Sequence, residues 1–167
     1  MLYLLDANVL IDAARDYYPI ARVPEFWEWL LAQAMLDRVA MPEETYEEAS
    51  GSKDELGEWL RRSAVKSALV YPSDVAAEVV QRVVAEGYAR DLTDVEIEKL
   101  GRDPFLIAHA LSASPRACVV TTEASKPKQT RANRHVPDVC RQFQLESCNT
   151  FELVRRLDFS TGWRSRG

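Results

Sequence analysis

Four acidic residues, carried by separate segments of the chain, are the side chains best suited to shared chemistry. Each lies at the end of a hydrophobic run or on a helical segment next to one; they are Asp6, Glu48, Asp103 and Glu123. Carboxylates gathered at one place repel one another and raise their own pKa values unless hard divalent cations neutralise them. Two such cations can clamp the attacking and leaving oxygens of a phosphodiester displacement. The pattern therefore predicts a hydrolase of phosphodiester bonds that depends on Mg²⁺ or a similar ion.

Each acid also has a structural interpretation. Asp103 precedes Pro104 and could cap a helix, while Glu48 belongs to a run of acids that could form a solvated helix face. Glu123 could simply open a loop. Asp6 is harder to explain in this way, because an ionised residue directly after a buried strand needs a partner or a metal. The conjunction of all four favours the metal site.

Short apolar segments alternate with helical patterns along the chain. The predicted strands are residues 2–5, 38–41, 67–71, 117–121 and 145–148. Helices are predicted from residue 9, from 24, over 43–50 and 54–66, from a cap at 73, from a capping box at 93–96, over 103–111 and 137–143, and after a cap at 149. Strands separated by helices predict an α/β fold with a parallel sheet covered on both faces. Active sites of such sheets lie at the carboxyl ends of the strands, where the four acids are expected.

Composition favours a single domain. The chain has 167 residues and is 47% hydrophobic, enough for one continuous core. We expect the domain to span residues 1–159 and residues 160–167 to form a frayed tail. No apolar run reaches membrane-spanning length and no leader pattern is recognisable, so we expect a cytoplasmic protein. The cysteines, Cys118, Cys140 and Cys148, are expected to be reduced and mostly buried.

Charge is distributed unevenly along the chain. The net charge is −5, yet residues 24–58 carry −8 and residues 124–167 carry +5. A polyanion should therefore meet the second half, and the candidates follow Glu123 directly: Lys126, Lys128, Arg131 and Arg134. These residues lie in a polar segment without periodicity that could equally be a flexible surface connection.

Four segments resemble PIN-domain ribonucleases, the class that contains the toxins of VapBC-type toxin–antitoxin pairs. They are YLLDANVLI at 3–11, PEETYEEA at 42–49, DPFLIAHA at 103–110 and VVTTE at 119–123. The segments at 24–29, 54–59 and 136–140 look more specifically like a bacterial PIN-like subfamily. The resemblance covers nearly the whole chain.

That resemblance implies a PIN-like three-layer fold with a five-stranded parallel sheet, and Mg²⁺- or Mn²⁺-dependent hydrolysis of RNA that leaves 5′-phosphate and 3′-hydroxyl ends. By position, Asp6 and Asp103 would be central metal ligands, Glu48 the ligand on a helix, and Glu123 a replacement for a more usual Asp. Asn8 matches a position that steadies Asp6 or a metal-bound water. Glu47 stands beside Glu48, and the match to the motif favours Glu48.

The expected partners are RNA, a second copy of the chain in a homodimer and, for a toxin, a cognate antitoxin; no membrane is expected. The sequence does not separate a toxin from an RNA-processing nuclease. Two other functions remain open: a catalytically silent PIN-like module that binds protein, and a phosphoaspartyl phosphohydrolase. The second is disfavoured because Asn8 stands where that chemistry needs another Asp.

Several conspicuous residues are interpreted as structural. Trp27, Trp29 and Trp59 recur at helical core spacing, which favours packing over base stacking. His109 lies among apolar helix residues and is expected to be packed or hydrogen-bonded rather than catalytic.

Overall fold

The computed structural model describes residues 1–166 and shows an α/β fold. The strands are β1 (Tyr3–Leu5), β2 (Val39–Ala40), β3 (Cys118–Val120) and β4 (Ser147–Cys148). The α-helices are α1 (Ala7–Asp12), α2 (Pro24–Met35), α3 (Glu43–Ser50), α4 (Glu55–Leu60), α5 (Ser63–Leu69), α6 (Ala77–Arg82), α7 (Asp94–Leu100), α8 (Asp103–Ser112), α9 (Val136–Gln142) and α10 (Thr150–Arg156). Turns of π-helix, Ala13–Tyr17 and Val83–Tyr88, extend α1 and α6. Turns of 3₁₀-helix span Arg131–Asn133 and Trp163–Arg166.

The sheet is parallel, has four strands in the order β2-β1-β3-β4, and is covered by helices on both faces. Successive strand residues alternate between two cores, with Leu5 in one and Leu4 in the other. Because both faces of the sheet are buried, β1, β2 and β3 are each a continuous run of apolar residues in the sequence. The chain continues from β1 to β2 on one side of the sheet and then crosses to β3 on the other side of β1. The order in which strands are added therefore reverses between β1 and β3. That switch point is where open parallel sheets form their binding crevice.

Of the five predicted strands, the one at 67–71 is wrong, so the sheet has four strands rather than five. Residues 63–69 form α5, because Val65 and Leu69 are four residues apart and both turn into the core. Val70 alone pairs with Met41 in a single parallel bridge, and Pro72 then lacks the amide hydrogen that a longer strand would need.

Two further helix boundaries differ from the prediction. The stretch 54–66 breaks between α4 and α5, and the helix expected to be capped at residue 73 begins at Ala77. The caps at the other two sites are confirmed: Thr93 and Glu96 form a reciprocal capping box, and Asn149 accepts the amide hydrogen of Glu152. At both sites a short polar side chain accepts the amide hydrogen of the residue three positions later, which is the contact that the sequence pattern predicts for a helix cap.

The tryptophans expected in the core, Trp27, Trp29 and Trp59, are all buried. The cysteines are also buried, and no disulfide joins them. In the segment expected to fray, Trp163 packs against the core and Arg164 pairs with Glu28 at 2.9 Å; Gly167 lies outside the described residues. Within residues 1–166, no helix is long and apolar enough to cross a membrane.

Candidate metal centre

Asp6 occupies the crevice between β1 and β3. It directly follows β1 and is 5% exposed, and its side chain does not cap the helix it precedes. Its Oδ2 instead accepts a hydrogen bond of 3.1 Å from the hydroxyl of Thr121, which directly follows β3. Burial, and to a smaller extent the charges of Glu48 and Glu123, together raise the pKa of Asp6 to about 6, against the opposing effect of the hydrogen bond from Thr121.

Asp103 approaches the same crevice from the first turn of α8. It does not cap this helix, because Arg102 holds the cap position and makes no capping bond. Its pKa is raised to about 8, chiefly by burial and then by the charges of Asp6, Glu123 and Glu48. Asp103 is therefore mostly protonated at neutral pH unless a cation compensates the site.

The two glutamates complete the cluster in different ways. Glu48 is exposed on α3, yet its charge raises the pKa values of both aspartates. Glu47 is not among the main contributors to either shift. Glu123 is partly buried, and its Oε2 accepts the backbone amide hydrogen of Val136 at 2.7 Å, so it also anchors the start of α9. Both aspartates thus lie within electrostatic reach of both glutamates, and Asp103 lies within reach of Asp6.

The carboxylates do not form a closed coordination shell. Among residues 1–166, no three acidic, histidine or cysteine side chains lie at the spacing of metal ligands. Asp6 and Glu123 each accept a hydrogen bond from the protein. The donor atoms are all carboxylate oxygens, and burial together with the charges of neighbouring acids raises the pKa values of both aspartates. Such a donor set fits a hard divalent cation.

The structure adds residues that sequence reasoning did not single out. Thr121 bridges two strands by donating to Asp6 and accepting the amide hydrogen of Glu123 at 3.2 Å. The position of Thr121, a hydroxyl residue at the end of an apolar strand, could have indicated this role from the sequence. Tyr88 had no such signal; its hydroxyl is buried without a hydrogen-bond partner, and its pKa is raised by burial and by the charge of Asp103. Asn8 is exposed, and among residues 1–166 no hydrogen bond joins its side chain to Asp6.

The basic loop, residues 124–135, separates into engaged and free cations. Arg131 donates to Asp91 at 2.8 Å and to Glu96 at 2.8 Å. Arg134 donates to Gln142 at 2.6 Å and also to the carbonyl of Gly87. These arginines tie the loop to the body of the protein. Lys126 and Lys128 are exposed and have no ion-pair partner within the described chain.

A cleft beside the acids, here called the basic cleft, has a volume of about 230 Å³. Its lining includes Asp103, Glu123, Lys99, Arg134 and His135. Acids and bases thus meet at one opening, so a phosphate held near Glu123 would have cationic groups within the same cleft.

Comparison with known proteins gives one match. The family model described as "Domain of unknown function (DUF4411)" matches residues 3–161, so the chain belongs to that family. No curated protein and no solved structure matches the chain.

Proposed function

We propose that this member of the DUF4411 family is a PIN-type ribonuclease that requires Mg²⁺ or Mn²⁺. The observation that carries the proposal is the convergence of Asp6, Glu48, Asp103 and Glu123 on the switch point of a parallel sheet, with the pKa values of both aspartates raised. A structural ion-pair network would lower carboxylate pKa values instead. Acids that repel one another in a crevice are suited to binding a cation together with a phosphate.

The protein groups would act by holding and orienting. Asp6 and Asp103 would be the principal ligands, with Glu48 and Glu123 completing the set. Thr121 fixes the carboxylate of Asp6, and the amide of Val136 fixes one oxygen of Glu123. When bound, a divalent cation would neutralise charge on the phosphodiester and make an attacking water more acidic.

Cleavage of end-labelled single-stranded RNA by the purified protein tests this proposal. We expect cleavage in Mg²⁺ or Mn²⁺ that stops in chelator and leaves 5′-phosphate and 3′-hydroxyl ends. Asp6→Asn should lower the rate by about 100-fold or more, because a principal ligand is lost. Glu48→Gln should also lower it, whereas Glu47→Gln is the matched control on the same helix and should remain active.

A binding measurement supplies a second readout that does not depend on turnover. Because Asp103 has a pKa of about 8 and Asp6 of about 6, a cation must displace protons when it binds. Affinity for Mn²⁺, measured by calorimetry, should strengthen as the pH rises from about 6 to about 8, and binding should release protons. An Asp6→Asn variant that cleaved RNA normally, or cleavage unaffected by chelator, would contradict the proposal.

A further inference from the structure

Two aromatic side chains of this protein are conspicuously exposed. The tryptophans of the α-helices are buried, but among residues 1–166 the fold leaves Tyr17 47% exposed and Phe151 43% exposed. Their rings contact edge to face, with centroids 5.0 Å apart. They come from segments far apart in sequence, the end of the π-helical turn after α1 and the first turn of α10. Solvent-exposed aromatic rings that meet in this way form a surface to which another flat ring can stack.

The pair lines a second opening, here called the aromatic cleft, with a volume of about 230 Å³. Its lining residues are Asp12, Tyr17, Thr122, Asn149, Thr150 and Phe151. Thr122 locates the cleft relative to the acids, because it lies between Thr121, which binds Asp6, and Glu123. One wall of the aromatic cleft is therefore a single residue along the chain from Glu123 and from the residue that binds Asp6. The basic cleft borders the candidate metal centre and includes Glu123 itself.

The polar groups of the aromatic cleft suit a base better than a phosphate. Asp12 is the one carboxylate in the lining, and its Oδ1 accepts a hydrogen bond of 2.8 Å from Arg15, which offsets its charge. No lysine or arginine lines the cleft. Asn149 uses its Oδ1 to cap α10, so its amide nitrogen is the group left to donate to the edge of a ligand.

We propose that Tyr17 and Phe151 form a stacking subsite for a nucleobase of single-stranded RNA, next to the bond that is cut. The proposal rests on the proposed ribonuclease function and assigns its substrate class. A base stacked on this pair would leave its own backbone beside Thr122 and Glu123, and the chain would continue toward the basic cleft. Every base has a π-face, so such a subsite binds without strong sequence preference. A base already paired in a duplex is stacked between its neighbours and cannot enter, so the subsite selects single strands.

The test is binding of a fluorescently labelled oligoadenylate of twelve nucleotides and of the corresponding duplex, followed by anisotropy in Ca²⁺ to limit turnover. Tyr17→Ala and Phe151→Ala should each weaken single-strand binding about 5- to 150-fold, the range for loss of one stacked base. Tyr17→Phe keeps the ring and should stay within about twofold of wild type. Met35→Ala removes another exposed apolar side chain, at the C-terminal end of α2, and should change nothing. Duplex binding should be the same for all variants.

A second arm identifies the base itself. One abasic nucleotide at the correct position should weaken binding to wild type as much as Tyr17→Ala does, and it should add no further loss in the Tyr17→Ala variant, because both changes remove one stack. Tyr17→Leu and Phe151→Leu keep apolar volume, so a loss that persists in them while the thermal midpoint is unchanged reflects the ring rather than the fold.

The proposal is overturned if the alanine variants bind single strands like wild type, if they lose duplex affinity equally, or if wild type binds no single-stranded RNA. It is also overturned if they keep RNA affinity but lose a dimer seen by sedimentation, which would assign the rings to a protein interface. Failure of the proposed function gives a different result: wild type would bind single strands through the rings but cleave none in Mg²⁺ or Mn²⁺.

Discussion

Two groups of acids on either side of the basic loop show opposite electrostatics. Asp91 and Glu96, on the outer side, both bind the guanidinium of Arg131, and hydrogen bonds from it lower the pKa of Glu96 to about 2. For Asp6 and Asp103, on the inner side, burial and the charges of neighbouring acids raise the pKa values. The outer acids are thus neutralised by an arginine of the protein, and the ion pairs fix the position of the loop. The charges of the inner acids are not balanced in this way, and such an imbalance is what we expect at a ligand-binding site.

Removing one acid from the inner group is the most direct test of this difference between the two groups. A raised pKa means that the stability contributed by neutral Asp103 is fully present below its ordinary pKa of 3.8 and is lost as the pH rises through about 8. In chelator, Asp103→Asn should therefore be more stable than wild type, and its advantage should grow by about 1–3 kcal/mol between pH 4.5 and pH 8.5, a range discounted for partial exposure. Urea unfolding at the two pH values measures this.

Cation addition provides the control for that experiment. Saturating Mn²⁺ should raise the unfolding free energy of wild type at pH 8.5 and should raise that of Asp103→Asn much less, because a ligand is missing. A variant that was less stable than wild type at high pH, or a difference that did not change with pH, would mean that Asp103 is paired in the folded protein.

The outer group gives the next largest effect, which is local. Arg131→Ala should speed amide hydrogen exchange in residues 124–135 while leaving the global unfolding midpoint nearly unchanged, because the ion pairs that fix the loop lie at the surface and are partly or fully exposed. Arg155→Ala, which removes an exposed arginine of α10, is the control. The pKa values of Asp91 and Glu96 are lowered, so this protection should be present above pH 4 and fade as the pH falls toward about 2. Equal exchange in wild type and Arg131→Ala would show that the pairs do not hold the loop.

Much of the fold could be predicted because the sequence repeats a simple physical pattern. Buried strands followed by caps and amphipathic helices indicated the parallel α/β sheet. The error at 67–71 arose because a short apolar run fits a strand or a helix, and only the core contacts of Val65 and Leu69 decide between them. Asp6, Asp103 and Glu123 could be singled out because each lies at the boundary of an element, and such boundaries meet at one edge of a parallel sheet. Glu48 lies within α3, and only the match to the motif distinguished it from Glu47.

The partners of those residues could not be predicted. The sequence shows that Arg131 is a cation that could bind phosphate. Its pairing with Glu96, however, spans 35 positions and depends on how the loop folds back on α7. The contact between Tyr17 and Phe151 spans a still longer stretch of chain, and no local pattern links these residues. Sequence therefore indicated which groups could bind a polyanion, while the structure shows which of them are already engaged.

The smallest effect concerns the two cations of the basic loop that the structure leaves free. If Lys126 and Lys128 contact RNA phosphates, replacing both with Ala should reduce the slope of log affinity against log salt by about 1.4, because each lost contact with a single strand removes about 0.7 from it. Lys53→Ala with Lys66→Ala changes the net charge equally outside the loop and should leave the slope unchanged. Anisotropy titrations in Ca²⁺ at several salt concentrations measure it.

Arg131 and Arg134 are bound by the protein, so adding their substitutions should disorder the loop without a comparable further change in slope. A much larger change in the quadruple variant would mean that the arginines leave their protein partners for phosphate, and that the pairing of Arg131 with Glu96 is a resting state of the loop.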